Sequence, residues 1–131
     1  MSTILVTGGL GFIGSHLVKK LKEEGHTVYV MDVPFNVTRK SDWEFCLIGV
    51  EYVIHLAGHL DQYDTDTDFS RYIDVNVKSV SLLFEVIAEN NLPIKKIIVA
   101  SSQSVYGDYP ELEYEIYKAT PISMYGASKA A

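Results

Sequence analysis

Thr7-Gly8-Gly9-Leu10-Gly11-Phe12-Ile13-Gly14 stands between two segments of different periodicity, and that position decides the fold. Before it, Thr3-Ile4-Leu5-Val6-Thr7 is β-branched and almost wholly apolar, the pattern of a strand buried on both faces. After it, Ile13, Leu17, Val18 and Leu21 recur at helical spacing between Phe12 and Glu24, and Gly25 falls where a C-terminal cap is wanted. An isolated glycine triplet can be no more than a loop. Between a buried strand and a helix, Gly8, Gly11 and Gly14 instead permit a tight turn, close backbone approach to a pyrophosphate, and tight packing of helix on strand. The free N–H groups and positive dipole end of the helix then face the anion.

Working outward, Thr27-Val28-Tyr29-Val30-Met31 reads as a second strand with Asp32 at its carboxyl end. Pro34 breaks the run, and Ser41-Asp42-Trp43-Glu44 predicts a capping-box start to a short helix ending near Gly49. Tyr52 to Ala57 is a third buried strand stopped by Gly58. Ile73, Val77, Val80, Phe84 and Ile87 lie on one stripe of a long helix over Phe69 to Glu89. Lys96 to Ser101 is a fourth strand. The stretch from Val105 to Thr120, with Gly107, Pro110 and four tyrosines, reads as a loop, and Pro121 can open a last helix.

Strands alternating with helices predict an α/β fold, a Rossmann-type parallel sheet with flanking helices, with ligands at the carboxyl ends of the strands. Gly8, Asp32, Gly58 and Ser102 fall at such ends. A further parallel strand after Asp32 would need a crossover of about a dozen residues, and only Val33 to Val37 precede the next helix signal. The fold is therefore expected to be abbreviated after the second strand, with strand order 2-1-4-5 in the usual Rossmann numbering and Phe35-Asn36-Val37 as a strand remnant.

Composition narrows the function. The 131 residues suit one domain, and 47% hydrophobic with 21% charged residues is an ordinary globular mixture. A net charge of -6 without any basic cluster argues against a nucleic-acid partner. The single cysteine, Cys46, lies in an apolar run and reads as a core residue of a reduced compartment rather than as a nucleophile. Neither a signal peptide nor a membrane span is visible, so a cytoplasmic protein without a membrane partner is expected. The four histidines lack ligand spacing and no metal site is expected. Asp64-x-Asp66-x-Asp68 fails as a calcium loop, because Phe69 and Val75 stand where glycine and glutamate are needed.

Asp32 lies about 20 residues past the glycine turn, where a carboxylate accepts hydrogen bonds from the adenosine ribose hydroxyls. It would repel a 2′-phosphate, which favours NAD over NADP.

Taken with His55-Leu56-Ala57-Gly58, Asn76-Val77, Ser101-Ser102-x-x-Val105-Tyr106-Gly107 and Tyr125-x-x-x-Lys129, the glycine turn resembles the extended short-chain dehydrogenase/reductases, the NAD-dependent epimerase/dehydratases of nucleotide sugars. The motifs occur in the family's order through nearly the whole chain. The resemblance implies that Gly8, Gly11, Phe12, Ile13 and Gly14 bind pyrophosphate and that Asp32 holds the adenosine ribose. It implies also that Leu56, Ala57 and Gly58 line the cofactor, and that Asn76 supports the site from the long helix. It makes Ser102, Tyr125 and Lys129 the catalytic triad, with Lys129 also on the nicotinamide ribose. Physical chemistry agrees on one point: Tyr125 and Lys129, four apart, share a helix face, and an ammonium there favours the phenolate that a tyrosine base needs.

The expected activity is hydride transfer on a nucleotide sugar, as an epimerase or dehydratase, with a homodimer through the long helix as a further implication. A reductase of a non-sugar carbonyl, or a dinucleotide-binding fragment or sensor without turnover, are the alternatives. The sequence departs from the family at Gly58-His59-Leu60, which lacks a lysine that some sugar epimerases carry, and at Lys78-Ser79-Val80. It also reaches Ala131 just past Lys129, whereas family members continue into a region that grips the nucleotide sugar, so residues 1–131 are expected to form an incomplete, C-terminally truncated NAD(P)-binding domain.

Overall fold

The computed structural model describes residues 1–60, 69–108 and 118–131; the Asp64 to Asp68 run and most of the tyrosine-bearing loop lie outside these. Four parallel strands, β1 (Thr3–Thr7), β2 (Thr27–Met31), β3 (Tyr52–His55) and β4 (Lys96–Val99), form one sheet in the order β2-β1-β3-β4. This is the expected 2-1-4-5 order, with β3 and β4 in the places of the usual fourth and fifth strands. The helices are α1 (Phe12–Glu23), α2 (Lys40–Cys46), α3 (Phe69–Tyr72), α4 (Ser79–Glu89) and α5 (Met124–Ala130).

Register matters most for function. Thr7 sits opposite Met31 on one side and His55 on the other, and His55 sits opposite Val99. The residues one step beyond, Gly8, Asp32, Leu56 and Ala100, therefore emerge along one rim. The backbone fastens that rim through Gly8 N to Met31 O at 3.0 Å, Leu56 N to Thr7 O at 3.2 Å and Ala100 N to His55 O at 3.0 Å.

The central strand β1 is buried from Ile4 onward, as a strand flanked on both sides must be. Leu5, Met31 and Val53 of the sheet pack with Trp43 and Leu47 of the α2 region and with Leu83 and Val86 of α4. Trp43 is fully buried, and its indole N–H donates to Val37 O at 2.8 Å. Cys46 is half-buried beside this core, where burial pushes its thiol pKa up. Gly25, with φ +87°, follows α1 in the left-handed conformation, and His26 N reaches back to Leu21 O at 3.1 Å in a Schellman-type closure.

Several details differ from the sequence reading. Helix α2 begins at Lys40, with Arg39 in the cap position and no capping side chain, so Ser41 lies inside the helix and the capping box does not form. Asp42 closes the turn instead, accepting Asn36 N at 2.7 Å and pairing with Arg39 Nη1 at 3.4 Å. The helix ends at Cys46 and a turn carries the chain to Gly49, with φ +72°.

Phe35-Asn36-Val37 is not a strand remnant: Phe35 N bonds Asp32 O at 2.8 Å, which folds the segment into a turn. Strands β3 and β4 stop two residues early because the chain leaves the ladder as it reaches the rim. The last helix starts at Met124 rather than Pro121, with the Ser123 hydroxyl accepting Gly126 N at 3.0 Å as its cap. The long helix is present but interrupted, since Ile73–Lys78 is a π-helical segment between α3 and α4. Hydrophobic spacing carries no mark of that extra residue per turn.

The abbreviation after β2 is real. Residues 33–51 hold only α2, and the core layer opens beside β2 into an apolar cavity of about 590 Å³ lined by Val28, Tyr29, Phe35, Phe45 and Ile48 among others.

Candidate functional site

The glycine turn is built by contacts that tolerate no side chain. A Cβ on Gly8, itself at φ +67°, would stand 2.9 Å from Ala57 N, and one on Gly9 would stand 2.7 Å from Val30 Cγ1. A Cβ on Gly14 would run into the carbonyl oxygen of Gly8, so helix and strand meet backbone to backbone. Gly11 differs: its Cβ would meet only Gly8 O at 3.2 Å and otherwise points into open space.

Gly11 caps α1 with no side chain, and the first bond of the helix is Ser15 N to Gly11 O at 2.9 Å. The amides of Phe12, Ile13 and Gly14 precede that bond, so they are the donors a helix start leaves for an anion. Phe12 and Ile13 are themselves exposed, so their side chains fill no part of the core.

Asp32 joins this turn directly. Its Oδ2 accepts Leu10 N at 3.0 Å and its Oδ1 accepts Val33 N at 2.9 Å, which fixes the carboxylate beside the glycines with lone pairs to spare. A cavity of about 330 Å³ adjoins it, lined among others by Gly8, Asp32, Val33, Pro34, Arg39 and Ala57.

On the other side of the rim, three elements converge. Gly58 follows β3, and a Cβ there would lie 3.0 Å from Lys129 Nζ and 3.2 Å from Asn76 Oδ1. Asn76, in the π-helical segment and nearly fully buried, accepts His59 N at 2.7 Å through Oδ1. Its Nδ2 donates to His59 O at 3.0 Å and to Ser128 Oγ at 2.9 Å. The Asn76 amide thus clamps the chain after β3 to α5, a supporting position, and its polar atoms are engaged by the protein itself.

Lys129 Nζ donates to Ala100 O at 3.2 Å. Desolvation lowers its pKa, as expected for a half-buried ammonium that donates to an uncharged carbonyl.

Tyr125 and Lys129 are four apart on α5 as the spacing predicts. Ser102 follows β4 and caps a 3-10 turn, Gln103–Tyr106, by accepting Ser104 N at 3.2 Å. Helix α5 lies against that turn: a Cβ on Gly126 would collide with Ser104 O, and Gly107 likewise closes on Thr120 O. The chain therefore brings the Ser102 turn and the helix bearing Tyr125 and Lys129 together at the ends of β3 and β4.

Sequence reasoning missed the polar residues that hold this corner. Thr7, Ser79 and Ser128 are buried and hydrogen-bonded, and each lies within three residues of a residue singled out from the motifs. Adjacency to Gly8, Asn76 and Lys129 was the available signal.

Residues 4–131 match the NAD dependent epimerase/dehydratase family, and the chain belongs to that family. It is 32% identical to a UDP-glucose 4-epimerase of Neisseria meningitidis serogroup C, covering 99% of this chain and 46% of that protein. That alignment runs over 157 positions, more than this chain's own 131 residues, so the relative carries segments that this chain lacks. The chain thus spans about half the length of the curated relatives it matches.

Among solved structures, a Thermus thermophilus UDP-glucose 4-epimerase in complex with NAD superposes with a TM-score of 0.83 at 28% identity, covering 98% of this chain and 47% of that one. MoeE5, solved with UDP-glucose and NAD, gives a TM-score of 0.86 at 31% identity, covering 97% and 45%.

Proposed function

We propose that this chain forms the NAD-binding part of an enzyme that epimerises or otherwise rearranges a nucleotide sugar. The observation that carries the reading is convergence: the glycine turn, the Asp32 carboxylate and the Gly58–Lys129 corner lie on one rim because β1, β2 and β3 end in register. The residues fit a dinucleotide, since Gly11 opens a helix whose first amides have no intrahelical acceptor and Asp32 stands beside that turn at a cavity.

On this reading the amides of Phe12, Ile13 and Gly14 hold the pyrophosphate, Gly8 and Gly11 admit it, and Asp32 accepts the adenosine ribose hydroxyls. Leu56, Ala57 and Gly58 line the middle of the site, and Asn76 keeps that lining in place. Bound NAD would supply the hydride acceptor. Lys129 would then donate to the nicotinamide ribose and favour the phenolate of Tyr125, which takes the proton of the sugar hydroxyl undergoing oxidation. Ser102 would orient that hydroxyl or the resulting carbonyl.

Relatives named for UDP-sugars and a neighbour solved with UDP-glucose support a nucleotide-sugar substrate over a non-sugar carbonyl. No helix among the described residues is long and apolar enough to cross a membrane, and a cytoplasmic location is part of the proposal. Self-association through the long helix is the corresponding proposal for its partner, with Ile73 and Phe84 both about half exposed there. The test is product analysis after incubating the full-length protein with NAD and UDP-glucose. Appearance of the 4-epimer supports the reading, and reduction of a simple ketone in a parallel incubation with NADH, with no change in any UDP-sugar, would replace it by the reductase alternative.

A further inference from the structure

A line of buried hydrogen bonds runs from the glycine turn to the π-helical segment through His55. Ala57 N donates to Thr7 Oγ1 at 3.1 Å, and Thr7 Oγ1 lies 2.7 Å from His55 Nδ1. His55 Nε2 lies 3.0 Å from Ser79 Oγ, which donates to Val75 O at 2.5 Å.

The protons can be placed one by one. The Val75 carbonyl can only accept, so the single Ser79 hydroxyl proton goes to it, and Ser79 Oγ must accept from His55 Nε2–H. In a neutral ring Nδ1 is then bare and accepts the Thr7 hydroxyl proton, while Thr7 Oγ1 accepts Ala57 N–H. One tautomer satisfies every member of the line. Thr7 and Ser79 are fully buried and His55 is 2% exposed, so water does not compete for these bonds. A phenylalanine in place of His55 would fill the space beside Trp43, whose ring centre lies 5.5 Å away, but would leave two buried hydroxyls short of a partner.

The ends of the line are the two halves of the site. Thr7 precedes Gly8, and Val75 precedes Asn76. We propose that His55 is a positioning residue whose neutral ring, protonated on Nε2, locks the pyrophosphate turn and the Asn76-bearing segment into one body, so that loosening one end weakens cofactor binding across both. The inference rests on the NAD reading above. It gives His55 and Ser79 a part in binding although neither is placed against the cofactor.

The test is NADH titration of the native chain, Ser79→Ala, Thr7→Val and the double variant, with Val86→Ala as a destabilised control in the same helix as Ser79. Each single change is expected to weaken NADH about two- to tenfold, the range of one net hydrogen bond. The double variant should lose less than the product, because both changes cut one line. Val86→Ala should leave affinity within about twofold despite its cavity. Nitrogen shifts of selectively labelled histidine should put the His55 proton on Nε2. Unchanged NADH affinity in Ser79→Ala, effects that multiply, or a proton on Nδ1 would each overturn the proposal. If Ser79→Ala does not fold, the tautomer in the native chain decides. No NADH binding by the native chain would instead overturn the NAD reading, and this proposal with it.

Discussion

Lys129 Nζ donates to the carbonyl oxygen of Ala100 at 3.2 Å, which pins the cation of α5 to the carboxyl end of β4. Desolvation has lowered the pKa of this ammonium, so a further polar partner on the open side of the corner would recover hydration it has lost.

Lys129→Ala should therefore weaken NADH binding by about tenfold, as for loss of a hydrogen bond to a charged group. Tyr125→Phe, which removes only the phenol oxygen, should leave NADH affinity within about twofold yet abolish turnover in the full-length protein. Equal losses of affinity in the two variants would contradict the separate roles.

The glycines divide into packing and access. Gly14→Ala places a methyl group against the Gly8 carbonyl and the Gly9 backbone, and neither can rotate away, so the variant should lose about 1–3 kcal/mol by urea unfolding. A Cβ on Gly11 meets Gly8 O at 3.2 Å, a milder contact than at Gly14, so Gly11→Val should cost less stability than Gly14→Ala while removing NADH binding. A Gly11→Val chain that binds NADH normally would show that the turn at Gly11 is not the pyrophosphate site.

Burial holds the His55 imidazole down to about 4, against its usual 6.5, with the charge of Lys129 acting in the same direction. Between those values the unfolded chain takes up a proton that the folded chain refuses. Stability present above pH 6.5 should thus fall as the pH drops toward 4, by about 3 kcal/mol over the whole window. Urea midpoints at pH 7 and pH 5 check this, and His55→Phe should flatten the slope. An unchanged slope in that variant would assign the acid sensitivity elsewhere.

Self-association through the long helix predicts that Phe84→Glu, at a half-exposed position of α4, lowers the sedimentation-derived mass at micromolar concentration while the chain stays folded. A monomeric native protein would contradict it.

Legibility in the sequence followed physical range. The strand order and the abbreviated crossover were readable, because each depends on local apolar runs and on how many residues a crossover needs. Asp32 and the glycines were readable as neighbours for the same reason: their spacing already places both at strand ends. The direct bond from Leu10 N to Asp32, and the clamp of Asn76 on His59 and Ser128, were not, since they join residues 17 to 52 positions apart through side chains.

Helix starts were misread where the chain chose a different local turn from the one the capping residues suggest: Ser123 rather than Pro121 opens α5. Ser41 likewise lost the cap position to Arg39 once Asp42 turned back to Asn36. The π-helical segment around Asn76 escaped because an apolar stripe does not record how the backbone rises between successive turns; the stripe through Ile73 and Phe84 is half exposed, and the buried face runs instead through Tyr72, Asn76, Ser79, Leu83 and Val86.

Calorimetric titration of the chain with NADH and with NADPH tests the central claim most directly, because it reads the glycine turn and Asp32 together. With a carboxylate fixed on Leu10 N beside the cavity, a 2′-phosphate would meet like charge, so NADH should bind at least about tenfold more tightly than NADPH. Asp32→Ala should narrow that gap by weakening NADH. Equal or tighter binding of NADPH, or no binding of either dinucleotide, would contradict the account.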